Sequence, residues 1–160
     1  TLAKKVFNKG NVKKHFKRRA WVYVSQVYSV KELLQEIAKK FMNLRRGESR
    51  DMDIAELEDK IHDFLKKQSY LLVMDDVWST DVWDSLKGAF PSTGNGSRVV
   101  FTTRNKEVAL LADPRCPPHE IKLLSDDDSW TLFANKIFMA TEPPSEQLKE
   151  VGKKNCEKMW

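Results

Sequence analysis

The stretch Tyr70-Leu71-Leu72-Val73-Met74-Asp75-Asp76 decides the fold of this chain. Its first part is a continuous apolar run of strand length, and a strand that is apolar on both faces belongs in the middle of a parallel sheet covered by helices. Two carboxylates follow at the point where such a strand ends. Ligands bind at the carboxyl edge of the strands in open α/β sheets. We therefore expect an α/β protein with its functional site at the end of this strand.

Strand-like and helix-like segments alternate on both sides of this stretch. Residues 20–25 and 98–102 are rich in β-branched and aromatic residues and are predicted strands, and residues 121–123 are predicted as a short last strand. A capping pattern at Ser29 begins a predicted helix with apolar residues on one face, and a second helix is predicted over residues 54–65. This alternation predicts a layered parallel α/β sheet.

The pattern becomes wholly helical after residue 124. A capping pattern at Ser125 begins a helix that we expect to bury four apolar residues: Trp130, Leu132, Phe133 and Ile137. A last helix is predicted after a cap at Ser145. We therefore place a domain boundary near Leu124, which gives an α/β domain over residues 1–124 and part of a helical domain over residues 125–160.

Charge, cysteine content and hydrophobicity argue against a nucleic-acid-binding, disulfide-rich, zinc-binding or membrane-spanning protein. Residues 1–31 hold nine Lys or Arg and no Asp or Glu, so the remaining residues have a net charge of −4 although the chain as a whole is at +5. Such a basic block is more often the solvated face of a helix than a nucleic-acid surface, and nucleic acid is not an expected partner. The two cysteines, Cys116 and Cys156, are too few and too far apart for a disulfide framework or a zinc site. No apolar run approaches the ~20 residues that cross a bilayer.

The two acids after the central strand are candidates for metal and phosphate chemistry. Mg²⁺ prefers oxygen ligands and keeps several waters, so one or two carboxylates beside the phosphates of a nucleotide suit it. The second acid could orient or deprotonate an attacking water. Taken alone, a strand that ends in Asp75-Asp76 is a weak motif, because strand-end turns and helix caps share it.

Thr102-Thr103-Arg104 is the second candidate group, since it ends the next predicted strand and faces the same edge. A guanidinium at that edge could recognise a terminal phosphate through paired hydrogen bonds. The alternative is a salt bridge from Arg104 to Asp75 or Asp76.

Four segments in order resemble the conserved blocks of plant NLR (NBS-LRR) disease-resistance proteins. Residues 20–26 resemble the first block after the phosphate loop, and residues 71–78 are similar to the Walker B block. Residues 96–104 resemble the sensor-1 block, and residues 123–133 resemble the block that opens the first ARC helical subdomain, ARC1. The blocks cover nearly the whole chain, which is therefore identified as an NB-ARC fragment. The tryptophan at position 78 resembles the residue that the coiled-coil class of these proteins has there, rather than that of the TIR class.

The resemblance implies a P-loop NTPase of the STAND type, an ADP/ATP-operated switch that gates immune signalling. It implies that Asp75 helps to hold Mg²⁺ through water and that Asp76 is the candidate catalytic base. It also implies that Arg104 reads the γ-phosphate, and that Thr103 and Thr1 lie near the nucleotide.

The resemblance further implies that the chain begins just after the phosphate loop, so that the loop, its lysine and the preceding central strand are missing. The expected partners are the nucleotide, the remaining ARC, winged-helix and leucine-rich regions, and other copies in an oligomer on activation. The expected location is cytoplasmic, and slow ATPase activity is expected at most. Two alternatives stay open: a dedicated P-loop ATPase of the AAA+ type, and an interaction fragment that binds no nucleotide.

Overall fold

The computed structural model describes residues 1–44, 47–92, 94–113, 115–137 and 149–152. Helices and strands alternate along these residues, as the sequence predicts. The elements are α1 (Leu2–Asn8), α2 (Gly10–His15), β1 (Arg18–Tyr23), α3 (Val30–Met42), α4 (Ile54–Leu65), β2 (Tyr70–Asp75), α5 (Asp81–Leu86) with a 3-10 turn (Lys87–Ala89), β3 (Arg98–Phe101), α6 (Lys106–Ala112) and α7 (Asp126–Ile137).

The three strands form one parallel sheet in the order β1-β2-β3. Tyr70 pairs with Arg18 and Asp75 pairs with Tyr23, while Met74 pairs with Phe101 on the other side. Every residue of β2 before Asp75 is buried, which confirms the prediction of a central strand. The predicted strand over residues 20–25 instead lies at Arg18–Tyr23, and beyond its end the Val24 amide still donates to the Asp75 carbonyl at 2.9 Å.

One face of the sheet carries the main core. The helices α3 and α4 pack there, and their buried residues contact the inward residues of β1 and β2. The Ser29 hydroxyl caps α3, and Asp53 and Glu56 form a reciprocal capping box at the start of α4. Fully burying one Leu or Ile side chain contributes roughly 1.5–3 kcal/mol, so this face is stabilised by its fully buried side chains, which include Leu34, Ile37, Leu57 and Ile61.

The opposite face of the sheet is covered at β1 by the first helix. The Phe7 ring meets the Trp21 ring edge-on at 5.4 Å between centroids, and Lys4 lies 4.2 Å from the centre of the same indole ring. Arg19 donates to the Phe7 carbonyl at 2.8 Å. Helices thus lie on both faces, as expected for a three-layer α/β protein.

The predicted strand over residues 121–123 is wrong. In the part of the chain that is described, residues 121–123 form no strand, and Ile121 and Leu123 are 66% and 70% exposed. A strand exists only through hydrogen bonds to a neighbouring strand, and a pattern of three alternating residues does not by itself supply them.

The chain divides into two compact units, Thr1–Pro118 and His119–Trp160. Within the second unit, the Ser125 hydroxyl accepts from the Asp128 amide at 3.1 Å, as the capping pattern predicts. The burial prediction for α7 is half right, because Leu132 and Ile137 are exposed whereas Trp130 and Phe133 are half-buried. Leu132 lies on the side of the helix away from Trp130, whose ring closely approaches Gly152. Ile137 lies on the same side as Trp130, but at the end of the helix.

The predicted cap at Ser145, most of the last helix and Cys156 lie outside the described residues. Cys116 is exposed and its thiol is free. Among the described helices, none combines the length and the apolar composition that a membrane-spanning helix requires.

Candidate functional site

The ends of all three strands meet at one edge of the sheet. Asp75 is the last residue of β2, and Tyr23, the last residue of β1, lies beside it in the register. Asp76 follows in the left-handed region with φ of 60°, which turns the chain sharply out of the sheet. That conformation costs a non-glycine residue roughly 1–2 kcal/mol, although Asp and Asn tolerate it better than most. Hydrogen bonds from neighbouring loops hold the turn in place.

Thr102 connects the end of β3 with both acids. Its hydroxyl donates to Asp75 Oδ1 at 2.5 Å and accepts from the Asp76 amide at 2.9 Å. The backbone continues the contact, because the Thr102 amide donates to the Met74 carbonyl and its own carbonyl accepts from the Val77 amide. One threonine therefore sets the orientation of Asp75 and the position of the Asp76 backbone.

Arg104 forms a two-point ion pair with Asp76. Its Nε donates to Asp76 Oδ1 at 3.2 Å and its Nη2 donates to Oδ2 at 2.9 Å. The Arg104 side chain is 75% exposed and that of Asp76 is 18% exposed. The hydrogen bonds from Arg104 lower the pKa of Asp76 below its usual value, and the same carboxylate raises the pKa of Arg104.

Tyr23 and Trp78 complete the surroundings of this pair. The Tyr23 hydroxyl donates to Asp76 Oδ2 at 3.2 Å, and this bond to a carboxylate raises the pKa of Tyr23. The Arg104 guanidinium carbon lies 5.0 Å from the centre of the Trp78 ring, in the range of a cation–π contact. Trp78 Nε1 is buried and makes no hydrogen bond of good geometry among the described residues, but it is near enough to Asp76 to contribute to the lowered pKa of that carboxyl.

The two threonines predicted to lie near a nucleotide occupy different places. The Thr103 hydroxyl donates to the Val77 carbonyl at 2.7 Å and accepts from the Asn105 amide at 3.0 Å, so it stabilises the loop beside the acids. Thr1 is exposed and caps α1, where its hydroxyl accepts from the Lys4 amide at 3.4 Å. None of the hydrogen bonds in the described residues connects Thr1 with Asp75, Asp76 or Arg104.

Asp75 has the donor chemistry that a Mg²⁺ ion requires. Its Oδ1 is held by Thr102, while none of the described residues donates a hydrogen bond to its Oδ2. Mg²⁺ is bound through one or two carboxylates and retains waters, so a single oriented carboxylate at a sheet edge fits the ion. The residues present are therefore compatible with a magnesium site.

The sequence predicts that Asp75, Asp76 and Arg104 lie at one edge of the sheet, and in the structure Asp76 and Arg104 are hydrogen-bonded to each other. The prediction missed Tyr23 as a member of the site and gave Trp78 only a classifying role. The parallel register, which sets Tyr23 opposite Asp75, is a tertiary property without a local signal. The sequence placed the Thr102 hydroxyl at this edge but did not assign its hydrogen bonds to Asp75 and Asp76.

Comparison with known proteins gives the family. The model of the NB-ARC domain matches residues 1–143. A putative disease resistance protein of Arabidopsis thaliana is 41% identical over 96% of this chain, and the chain covers 18% of that protein.

Two further relatives agree with this match. The disease resistance protein RPP13 of the same plant is 38% identical over 98% of the chain, and a putative late blight resistance protein homolog of Solanum demissum is 37% identical over 95% of it. The chain spans 19% of each of these two relatives, so it corresponds to less than a fifth of their length. With its parallel α/β sheet and its acids at the carboxyl edge, the chain belongs to the NB-ARC family of nucleotide-binding modules, in the form found in plant disease resistance proteins.

Proposed function

We propose that this chain is part of an ADP/ATP-operated switch in a plant immune receptor, and that the carboxyl edge of its sheet is half of the nucleotide site. The observation that carries the proposal is the joining of two acids, a threonine and an arginine at that edge: Asp75, Asp76, Thr102 and Arg104. A magnesium–nucleotide complex carries a cation and an anion. The carboxylates suit the hard cation, and the guanidinium suits the anionic phosphate.

Each residue has a role that its position supports. Asp75 would hold Mg²⁺ through water, with Thr102 fixing its orientation. A bound Mg²⁺ neutralises charge on the phosphates of a nucleotide. Asp76 would orient the attacking water, and Arg104 would contact the terminal phosphate through donors that Asp76 leaves free.

The roles of Thr103 and Thr1 are less direct. The Thr103 hydroxyl is engaged with its own loop, so it would act by shaping the loop that carries Arg104. Thr1 precedes α1 and would lie near the nucleotide only if the segment before it brings the phosphates to the start of this helix. The 160 residues contain no Gly-x-x-x-x-Gly-Lys-Ser/Thr loop, whose backbone amides and lysine make most phosphate contacts in P-loop proteins.

The family carries further proposals about the whole protein. We place the boundary between its nucleotide-binding and helical subdomains at Leu124, and limited proteolysis would test it. The partners would be nucleotide, the other regions of the receptor and further copies of it on activation, and the location would be cytoplasmic. Cell fractionation tests the location, and a mass measurement of the activated receptor tests the association of copies.

The decisive experiment uses a protein in which the family's phosphate loop precedes Thr1, called the extended protein below. Calorimetry with ADP and with Mg·ATP should show binding of both. Turnover slower than about one ATP per minute supports a switch, whereas turnover of roughly 1 per second or faster, as in ordinary enzymes, supports a dedicated ATPase. If neither nucleotide binds, the carboxyl edge is only a structural cluster and the proposal is wrong.

A further inference from the structure

The side chain of Arg104 is unusually well held for an exposed residue. Although it is 75% exposed, it makes two hydrogen bonds to Asp76 and its guanidinium carbon lies over the Trp78 ring, 5.0 Å from the ring centre. An exposed ion pair commonly contributes almost nothing, because fixing two flexible side chains costs as much as the attraction gains. Two-point geometry and an aromatic support are the features that overcome this cost.

The partner of Arg104 is itself fixed from two directions. Tyr23, at the end of the neighbouring strand, donates to Asp76 Oδ2, and Thr102 holds the Asp76 amide. Asp76 Oδ2 therefore accepts hydrogen bonds from both the Tyr23 hydroxyl and Arg104 Nη2. Tyr23, Asp76 and Trp78, which we call the Arg104 clamp, come from the end of one strand and the loop after another.

The clamp leaves part of the guanidinium available. Arginine has five N–H donors, and only one on Nε and one on Nη2 point to Asp76. Nη1 has no acceptor in the described part of the chain. A guanidinium whose position is fixed while its remaining donors are free is preorganised for a second anion, and preorganisation removes the ordering cost that binding would otherwise incur.

We propose that Tyr23 and Trp78 are positioning residues that fix Arg104 for the terminal phosphate and thereby set the preference of the site for ATP over ADP. This inference rests on the proposed function. ADP has no γ-phosphate for Arg104 to contact, so the clamp should affect ATP affinity and leave ADP affinity nearly unchanged. The Tyr23 hydroxyl acts through Asp76, and the Trp78 ring acts on Arg104 directly.

The test compares two variants with two matched controls in the extended protein. Tyr23→Phe removes one hydroxyl, and Tyr28→Phe makes the same change at a tyrosine outside the clamp. Trp78→Leu removes the ring under Arg104, and Trp21→Leu removes a second indole ring that has a cation, Lys4, close to it. Calorimetry gives the dissociation constants for ADP and Mg·ATP, and thermal unfolding shows whether a variant is folded.

We expect the ATP preference to fall about 2- to 5-fold in Tyr23→Phe and about 3- to 10-fold in Trp78→Leu. ADP affinity and the control variants should stay within about twofold. The nucleotide-free proteins supply a second readout, because the Nε–H resonance of a held Arg104 is protected from water exchange and should broaden in both clamp variants.

An unchanged or increased ATP preference in both folded clamp variants would overturn the inference while leaving the proposed function intact. If Trp78→Leu does not fold, Tyr23→Phe together with the Nε–H resonance decides the matter. If the unsubstituted extended protein binds neither nucleotide, the proposed function fails and this inference fails with it. That outcome differs from the first one, in which both nucleotides bind.

Discussion

Thr102 and Asp75 are joined by a 2.5 Å hydrogen bond between the threonine hydroxyl and Oδ1 of the carboxylate. The same hydroxyl accepts from the Asp76 amide, so one side chain from the end of β3 organises the turn after β2. Both partners are only half-exposed, and a buried polar group that loses its partner costs about 1–3 kcal/mol.

The first prediction follows from this bond. Thr102→Val keeps the shape of the side chain but leaves the Asp76 amide and Asp75 Oδ1 without their partner. We expect the free energy of unfolding of the extended protein to fall by about 1–3 kcal/mol, measured by urea denaturation. Thr102→Ser should recover most of the loss. Thr80→Val is a suitable control, since the Thr80 side chain makes no capping bond in α5; equal effects at both threonines would contradict the prediction.

The second prediction concerns the left-handed turn at Asp76. Glycine adopts positive φ without the steric cost that a Cβ brings, so Asp76→Gly should melt about 2–4 °C higher than Asp76→Ala. Both variants lack the carboxylate, so their difference isolates the backbone. At Asp75, which lies in a strand, the order should reverse, with Asp75→Ala more stable than Asp75→Gly. If the alanine variant melted higher than the glycine variant at position 76 as well, the turn would carry no strain.

The sequence predicted the central strand and the shared edge because those features have local signals. A run that is apolar on both faces and ends in two acids can be recognised from Tyr70–Asp76 alone. The contacts of Tyr23 depend on which residue of β2 it faces, and that register is set by the whole sheet. The strand predicted at residues 121–123 failed for a related reason, since strand formation depends on a neighbour that a local pattern does not show.

Arg104 gives the third prediction, which tests the sensor role itself. Arg104→Ala in the extended protein should lower affinity for Mg·ATP relative to ADP by about 10- to 100-fold, the scale of hydrogen bonds to a charged group. Arg104→Lys should recover only part of this preference, because an ammonium cannot form the two-point contact with Asp76. Calorimetry with both nucleotides measures the ratio. A lower melting temperature with an unchanged ratio would leave Arg104 with a structural role only.

The fourth prediction concerns the 160 residues on their own. They lack a phosphate loop, and β3 ends the described sheet with Val100 exposed. We expect ADP to bind this chain no better than roughly millimolar, a weak affinity worth about 4 kcal/mol. We also expect the open strand edge to promote association. Micromolar binding in calorimetry would contradict the first expectation, and a sharp melt of a monomer in ultracentrifugation would contradict the second.

The last prediction separates the two acids. Asp75→Ala should weaken Mg·ATP far more than Mg-free ADP, because the lost contact runs through the metal. Asp76→Ala should slow hydrolysis more than it weakens nucleotide binding, since a water-orienting group acts mainly in the transition state. Titrating Mg²⁺ into each variant at fixed ATP, and measuring turnover at saturation, resolves the two effects. Asp84→Ala is a control for a lost acid, because Asp84 forms a surface ion pair with Lys87 at 2.8 Å and no other ion pair among the described residues. If the Mg²⁺ dependence of Asp75→Ala matches that of the unsubstituted protein, Asp75 does not hold the metal, and its bond to Thr102 serves the turn alone.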